Sequence, residues 1–539
     1  MMLHRTTLLM TFALAMAIPL IGPSPVQAQG MFSAAESGDP AAGLDPDSFG
    51  KPQPLEISTI QRLLRRLGYL KDADMTRKMD DATLVALSTH FKNSKTPTTD
   101  LNAEKIIRSL FTTVWTKENW ASGTVNGQEL VVDRAEVRSV QEALKTLGYA
   151  PGPADGVFGP ATFSAIEIFQ EDNGLKVSGL ITRNVLQNIG RARNFAGREP
   201  AATVHVLNWP DYVDPNMLEA FEKETNIRVV HEVFENSTET KDLLVEGSGK
   251  YDLMVQPGAQ MRQVLEKDGA VDVLDRSKLP NAKNLDPAVL EFTGVLDPDN
   301  AHSVTYMWGT MGLGLYKDKI KAIRPDMPFD SLGLILDPEL AADVSKCGIA
   351  VVDEPIDVIP IMVAYLGGDI RSMGITDLEA VDVQLSKVAQ YITVIPADRF
   401  IDTLAQGKYC AMFGYSGDIF LARDTAKADK IGTVSYVVPK EGSLLWFDLF
   451  VIPAKGQSKD AAYKLIDYMM KPEVAAANTN FLQYANPITK SGPFIEPKLL
   501  ADPGLYPPKK VLERLFVQRP MQGDVEKELL RIWSKLKKG

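Results

Sequence analysis

Three short stretches of this chain set aromatic rings beside carboxylates, and a fourth adds a further ring. NWPDY holds Trp209, Asp211 and Tyr212; GYSGD holds Tyr415 and Asp418; WFD holds Trp446 and Asp448; and QYANP adds Tyr484. The chemistry that wants both partners is capture of an organic ammonium. A carboxylate supplies charge and hydrogen bonds, and a ring face takes the weakly hydrated methylenes and attracts the cation, about 0.5–2 kcal/mol per contact. A linear diamine or triamine wants that arrangement at each end, with aromatic walls between. Asp448 is the sharpest case, because every other position of LLWFDLFVIP (Leu444 to Pro453) is apolar or proline. An isolated ionised carboxylate is costly to desolvate, and strand alternation puts Trp446 and Asp448 on one face. Structural roles compete for the same residues. Asp211 suits the cap of a helix beginning near Pro215, Asp418 suits a turn or cap after Gly417, and Trp446 and Tyr484 suit a core.

Other chemistries lack their signatures. The five histidines (His4, His90, His205, His231 and His302) are not at metal-ligand spacing, and HEVF at His231 is not HExxH. No GxSxG occurs, and Cys347 in SKCGIA has no adjacent histidine signature. No catalytic residue, metal or cofactor is expected, although carboxylate catalysis is left open by pattern alone. A formal net charge of −11 argues against nucleic acid as a partner and favours cationic ligands.

The elements that must position these residues change character along the chain. VHVLNW, IRVVHEVF, YDLMVQ, IAVVDE, KYCAMFGYS and GTVSYVVP read as short strands, separated by helical stretches such as PNMLEAFEKET. That alternation predicts an α/β fold with mostly parallel sheets over residues 201–539, a length that suits two lobes.

Upstream, residues 1–28 have a basic start, a short apolar stretch and a small-residue cleavage site after Ala28, which is the pattern of a secretory signal peptide. Export permits a disulfide between the chain's two cysteines, Cys347 and Cys410. Residues 29–52, rich in Gly, Pro, Ala, Ser and Asp, read as a flexible linker. An internal repeat follows: STIQRLLRRLGYL (Ser58–Leu70) returns 80 positions later as SVQEALKTLGYA (Ser139–Ala150), each an amphipathic helix closed by glycine. The second copy continues through ADGVFGPATFSAIEIFQEDNGL and resembles the peptidoglycan-binding domain of bacterial cell-wall proteins, a three-helix module, over residues 134–190. The first copy, residues 53–116, keeps ATLVALSTHF but has KDADMTRKMDD in place of the DGxFG corner, and reads as a degenerate module. RARNFAGREPAAT (Arg191–Thr203) reads as a second linker.

Residues 203–539 resemble the periplasmic putrescine/spermidine-binding proteins of polyamine ABC transporters, through VLNWPDYVDPNMLEAFEKETNIRVV, YDLMV, YMWGTMGLG, GYSGDIF, VPKEGSLLWFDLFVIP, QYANP and PGLYPP. The resemblance implies two α/β lobes closing over a polyamine at a hinge, one crossover near Trp308–Tyr316, an inner-membrane permease as partner and a periplasmic location. The modules would hold the protein to peptidoglycan. The pocket carried over falls on Trp209, Asp211, Tyr212, Tyr415, Asp418, Trp446, Asp448 and Tyr484, with Tyr415 where a Trp is usual. In VVDEPIDVIP the residue where a distal acid is expected is Ile356, flanked by Asp353 and Asp357. A second reading is a wall-associated binding or sensor protein for another organic cation, without transport.

Overall fold

The computed structural model describes residues 54–71, 76, 78–94, 103–117, 124–125, 128–130, 133–234, 237–247, 249–267, 269–517, 521 and 523–538. The expected signal peptide (1–28) and first linker (29–52) lie outside them. The chain divides into two compact units, Met1–Val114 and Trp115–Gly539.

In the first unit, α1 (Pro54–Arg66) precedes α2 (Asp81–Ser94) and α3 (Ala103–Lys117). Apolar residues three and four apart give α1 one inward stripe, with Ile60, Leu63 and Leu64 fully buried; Leu87, Ile106 and Leu110 are buried with them. Gly68 takes φ 82° just past the helix, and the Tyr69 amide donates back to the Leu64 carbonyl at 2.9 Å. That is a left-handed glycine stop. Gln61 Nε2 donates to Thr83 Oγ1 at 2.9 Å and to the Lys78 carbonyl at 3.0 Å.

The second unit repeats this latch. Its helical part is α4 (Arg134–Thr146), α5 (Pro160–Asp172) and α6 (Arg183–Asn194). Gln141 Nε2 donates to Thr162 Oγ1 and to the Val157 carbonyl, both at 3.0 Å, while its Oε1 accepts from the Gly156 amide at 2.9 Å. The first copy, which has KDADMTRKMDD in place of the DGxFG corner, makes the same Gln–Thr bond between its first two helices. Ahead of α4 sits a two-residue antiparallel pair, β1 (Thr124–Val125) and β2 (Gln128–Glu129). The stretch from Arg191, expected as linker, continues α6 to Asn194, and Arg191 is only 2% exposed. Val185, Asn188, Ile189 and Ala192 carry one buried face right through it.

The α/β region holds β3 (Ala202–Asn208), β4 (Ile227–Val233), β5 (Leu253–Pro257), β6 (Ser303–Leu315), β7 (Ile349–Val352), β8 (Ile392–Ile395), β9 (Ala411–Tyr415), β10 (Ser435–Val437), β11 (Ser443–Val451) and β12 (Leu515–Phe516). The strand order is β4-β3-β5-β11-β6-β9-β7-β8. The parallel trio β4-β3-β5 builds the first lobe, and the parallel trio β9-β7-β8 builds the second. The long antiparallel strands β6 and β11 join them. Ser303–Thr310 of β6 pairs with β11, and Met311–Leu315 pairs with β9. The crossover expected near Trp308–Tyr316 thus falls on a strand shared by both lobes. Each lobe has its own core, around Phe221, Val229 and Val255 in the first and Val351, Phe400 and Phe413 in the second. The expected disulfide Cys347–Cys410 is present, with Cα atoms 5.5 Å apart, and ties the entry of β7 to the entry of β9.

Candidate functional site

Ligands of open α/β sheets collect at the carboxyl ends of parallel strands, and the polar groups of this cleft sit there. β3 ends at Asn208, whose side chain accepts from the Trp209 amide (2.8 Å) and donates to the Tyr212 carbonyl (3.2 Å). This knots the loop that presents Trp209 and Tyr212. β7 leads through Glu354 into the helix Pro355–Tyr365, with Asp357 in its first turn. The adjacent β9 ends at Tyr415 and leads into the helix Ser416–Ala428, with Asp418 in its first turn. Two neighbouring strands thus deliver two first-turn aspartates to the same mouth.

Asp448 comes from the joining strands. The β11–β6 register slips there: Asp448 faces Met307, Leu449 faces Thr305, and Tyr306 is the extra residue. Bulges of this kind re-aim side chains. Tyr306 turns its hydroxyl to the Tyr212 carbonyl at 2.7 Å, and Asp448 lies 7% exposed beside that loop.

Rings connect the acids. Tyr212 meets Tyr484 edge-on at 5.9 Å, Tyr484 meets Trp446 at 4.9 Å, and Trp446 meets Tyr415 at 5.9 Å. The Tyr484 hydroxyl donates to Asp418 at 2.8 Å, and the Tyr415 hydroxyl donates to Asp357 at 2.6 Å. Along this aromatic path the carboxylates come in the order Asp448, Asp418, Asp357. Two glycines make room for it. A Cβ on Gly309 would stand 2.6 Å from the Trp446 ring, and one on Gly417 would stand 2.4 Å from the Tyr484 ring.

Burial dominates the electrostatics. It pushes the Asp448 carboxyl up to about 7, against the Tyr212 hydroxyl and the Trp209 indole, which lie close enough to favour the charged form; nearby Asp357 adds to the rise. The Tyr212 hydroxyl makes no hydrogen bond of good geometry. Burial pushes Asp357 and Asp418 each up to about 6, opposed by Tyr415 and Tyr484 respectively. Glu354 goes up to about 8, by burial first and then by Asp357, Asp353 and Asp418 around it. Helix N-termini favour anions, so at Asp357 and Asp418 desolvation outweighs that help. Four carboxyls held above their ordinary range in one mouth form a site that gains from a cationic occupant.

Of the residues singled out in the sequence, Trp209, Tyr212, Tyr415, Asp418, Trp446, Asp448 and Tyr484 are gathered here. Asp211 is not: it is exposed with φ 51°, and the cap of α7 (Pro215–Thr225) is Asp214, which accepts from the Asn216 amide. Asp353 points instead to the last helix of the chain, accepting from Trp533 Nε1 at 2.6 Å and pairing with Lys537. Ile356 packs against the second lobe's core, and Asp357 is the flanking acid joined to the ring path. Glu354 and Tyr306 escaped sequence reasoning. The i, i+3 spacing of Glu354 and Asp357 is a signal that could have paired the two acids on one helix turn.

Two α/β lobes sharing long strands, with a carboxylate- and ring-lined mouth at the junction, define a receptor for a small solute. The chain belongs to the bacterial extracellular solute-binding proteins, a family that matches residues 216–506, and a peptidoglycan binding domain matches residues 133–189. It is 35% identical to the putrescine-binding periplasmic protein SpuD of Pseudomonas aeruginosa, over 65% of this chain and 96% of that relative. To the putrescine-binding periplasmic protein PotF of Escherichia coli it is 37% identical, over 62% of this chain and 92% of the relative. Among solved structures it is similar to a spermidine/putrescine ABC transporter protein from Listeria monocytogenes, with TM-score 0.55, 29% identity, and coverage of 62% of this chain and 98% of that one.

Proposed function

We propose that this protein captures a polyamine of the putrescine/spermidine class outside the cytoplasm, in the periplasm, and delivers it to an ABC transporter permease, while its helical modules hold it to peptidoglycan. The observation that carries the ligand class is the ordered series Asp448, Asp418, Asp357 along one aromatic path. One ammonium sits by Asp448 between Trp209 and Tyr212, and the far ammonium meets Asp357 and Glu354 beside Tyr415. The methylenes between them lie against Trp446 and Tyr484. Asp357 thus takes the distal role that Ile356 leaves vacant. The site binds and releases its ligand unchanged. SpuD and PotF, both putrescine-binding periplasmic proteins, support the same class.

A thermal-shift series with putrescine, cadaverine, spermidine, spermine, agmatine and a monoamine of equal length tests the reading. A ligand binding only the native state at about 100-fold over its Kd adds about 2.7 kcal/mol, so diamines or triamines raise the melting temperature and the monoamine lags. No shift with any polyamine ends the proposal. Co-sedimentation of the protein with purified sacculi tests the wall contact, and protein left wholly in the supernatant removes it.

A further inference from the structure

Strand β4 is the edge of the first lobe's sheet. An open edge presents a row of unpaired backbone groups that natural proteins cover or blunt. Here α6 of the second module covers it with side chains. Asn188 pairs with His231 as a neighbouring strand would: its Nδ2 donates to the His231 carbonyl at 2.6 Å, and its Oδ1 accepts from the His231 amide at 3.0 Å. Asn184 Nδ2 also donates to that carbonyl at 3.0 Å. Two residues along the strand, the Val229 carbonyl accepts from Arg191 Nε at 3.4 Å, and the Val229 amide donates to the lobe's own Glu222 at 2.8 Å. All outward-facing backbone groups of Val229 and His231 are therefore occupied.

The rest of the contact is equally buried. Val230 of β4 belongs to the module's own apolar core, with Leu144, Ile166 and Ile189. Asn188 is 3% exposed, Arg191 2% and Glu222 1%. Burial lowers the Arg191 guanidinium to about 10, against the attraction of Glu222 and Glu219 on α7. At the other end of the contact, Arg228 donates to Asn173, and the Lys176 amide donates to Glu232. The short connection from α6 to β3 is pinned as well, through the Ala201 amide on the Asn226 carbonyl at 2.8 Å. A swinging tether would leave Arg191, Glu222 and Asn188 exchanging buried partners for water at every excursion, and breaking such buried charged and polar contacts is expensive.

We infer that the second helical module is a fixed part of the first lobe, so that closure of the cleft moves the second lobe alone relative to the module and to whatever the module holds. Only the ligand-driven half of this statement rests on the polyamine reading. The test is pulsed electron–electron distance measurement on the full-length protein with its disulfide intact. One spin-label pair spans the module and the first lobe (Glu142→Cys with Lys223→Cys). A second pair spans the module and the second lobe (Glu142→Cys with Glu379→Cys). The first pair gives a single narrow distance distribution, unchanged by millimolar putrescine, while the second shifts on adding it. Introducing Asn188→Ala together with Arg191→Met broadens the first distribution several-fold. A broad first-pair distribution in the parent overturns the inference, as does an unchanged width in the double variant. A narrow first pair with no putrescine response at the second pair, and no thermal shift, leaves the module fixed and removes the polyamine reading instead.

Discussion

Asp448 is the residue on which ligand capture turns. Asp448→Asn keeps the shape and removes the charge, so it costs about 2–5 kcal/mol of polyamine binding, the usual penalty for truncating a buried charge pair. Because burial already holds this carboxyl up at about 7, the ligand-free variant is as stable as the parent or slightly more so; calorimetry and thermal melts on one preparation separate the two effects. The pH dependence has a definite sign. Asp357, Asp418, Asp448 and Glu354 titrate at about 6, 6, 7 and 8 in the fold, above the 3.8 of free Asp and the 4.5 of free Glu. The empty protein therefore holds protons that the unfolded chain has lost. Their contribution to stability is complete below about pH 4 and fades as pH rises through about 6 to 8. A bound ammonium reverses this, since it needs the ionised acids. Polyamine affinity rises from about pH 5 to 8, and binding near pH 6.5 releases protons, which titrations in buffers of different ionisation enthalpy read directly. Proton uptake on binding would contradict the site as drawn.

At the scale of elements, glycine placement and the disulfide set the geometry. Gly417→Ala puts a methyl group into the Tyr484 ring; displacing that ring from Asp418 lowers polyamine affinity at least tenfold, by titration, while the sheet folds. The Cys347–Cys410 bridge closes a separation of 63 residues, worth about 4 kcal/mol in the chain-entropy model. A melt with and without reductant shows this as a lower transition for the second unit. The sequence disclosed the strand–helix alternation, the two-copy helix and the bridge, because each is written in local spacing or in a count of two cysteines. Asp448 was legible because no surface strand would surround an acid with Leu, Phe and Val. Glu354 was not, since its burial depends on β7 lying beside β9, a long-range pairing that no local pattern encodes. Asp211, read either as a pocket acid or as the cap of α7, stands exposed with φ 51° while Asp214 makes the cap; that choice between two nearby aspartates is made by the backbone of the loop and not by residue type.

For the whole molecule, the lesson lies at Arg191. A polar run of Arg, Asn and Gly looks like linker, yet its first residue, Arg191, joins Asn184 and Asn188 in satisfying the edge of β4. A chain begun at Ala201 therefore exposes Val230 and strips Glu222 of Arg191. It is about 2–3 kcal/mol less stable to urea than one begun at Asp133, with near-equal ligand affinity if it remains monomeric. Equal stability of the two would mean that the contact is superficial. The relatives SpuD and PotF spend 96% and 92% of their own length on 65% and 62% of this chain, which leaves them little chain from which to make such a module. The border between the two parts of the gene is thus not a border in the folded protein. Any recombination that joined them had to be followed by mutual adjustment across the seam. Asn184, Asn188 and Arg191 on one side, with Val230 and Glu222 on the other, are the positions at which such an adjustment would be written.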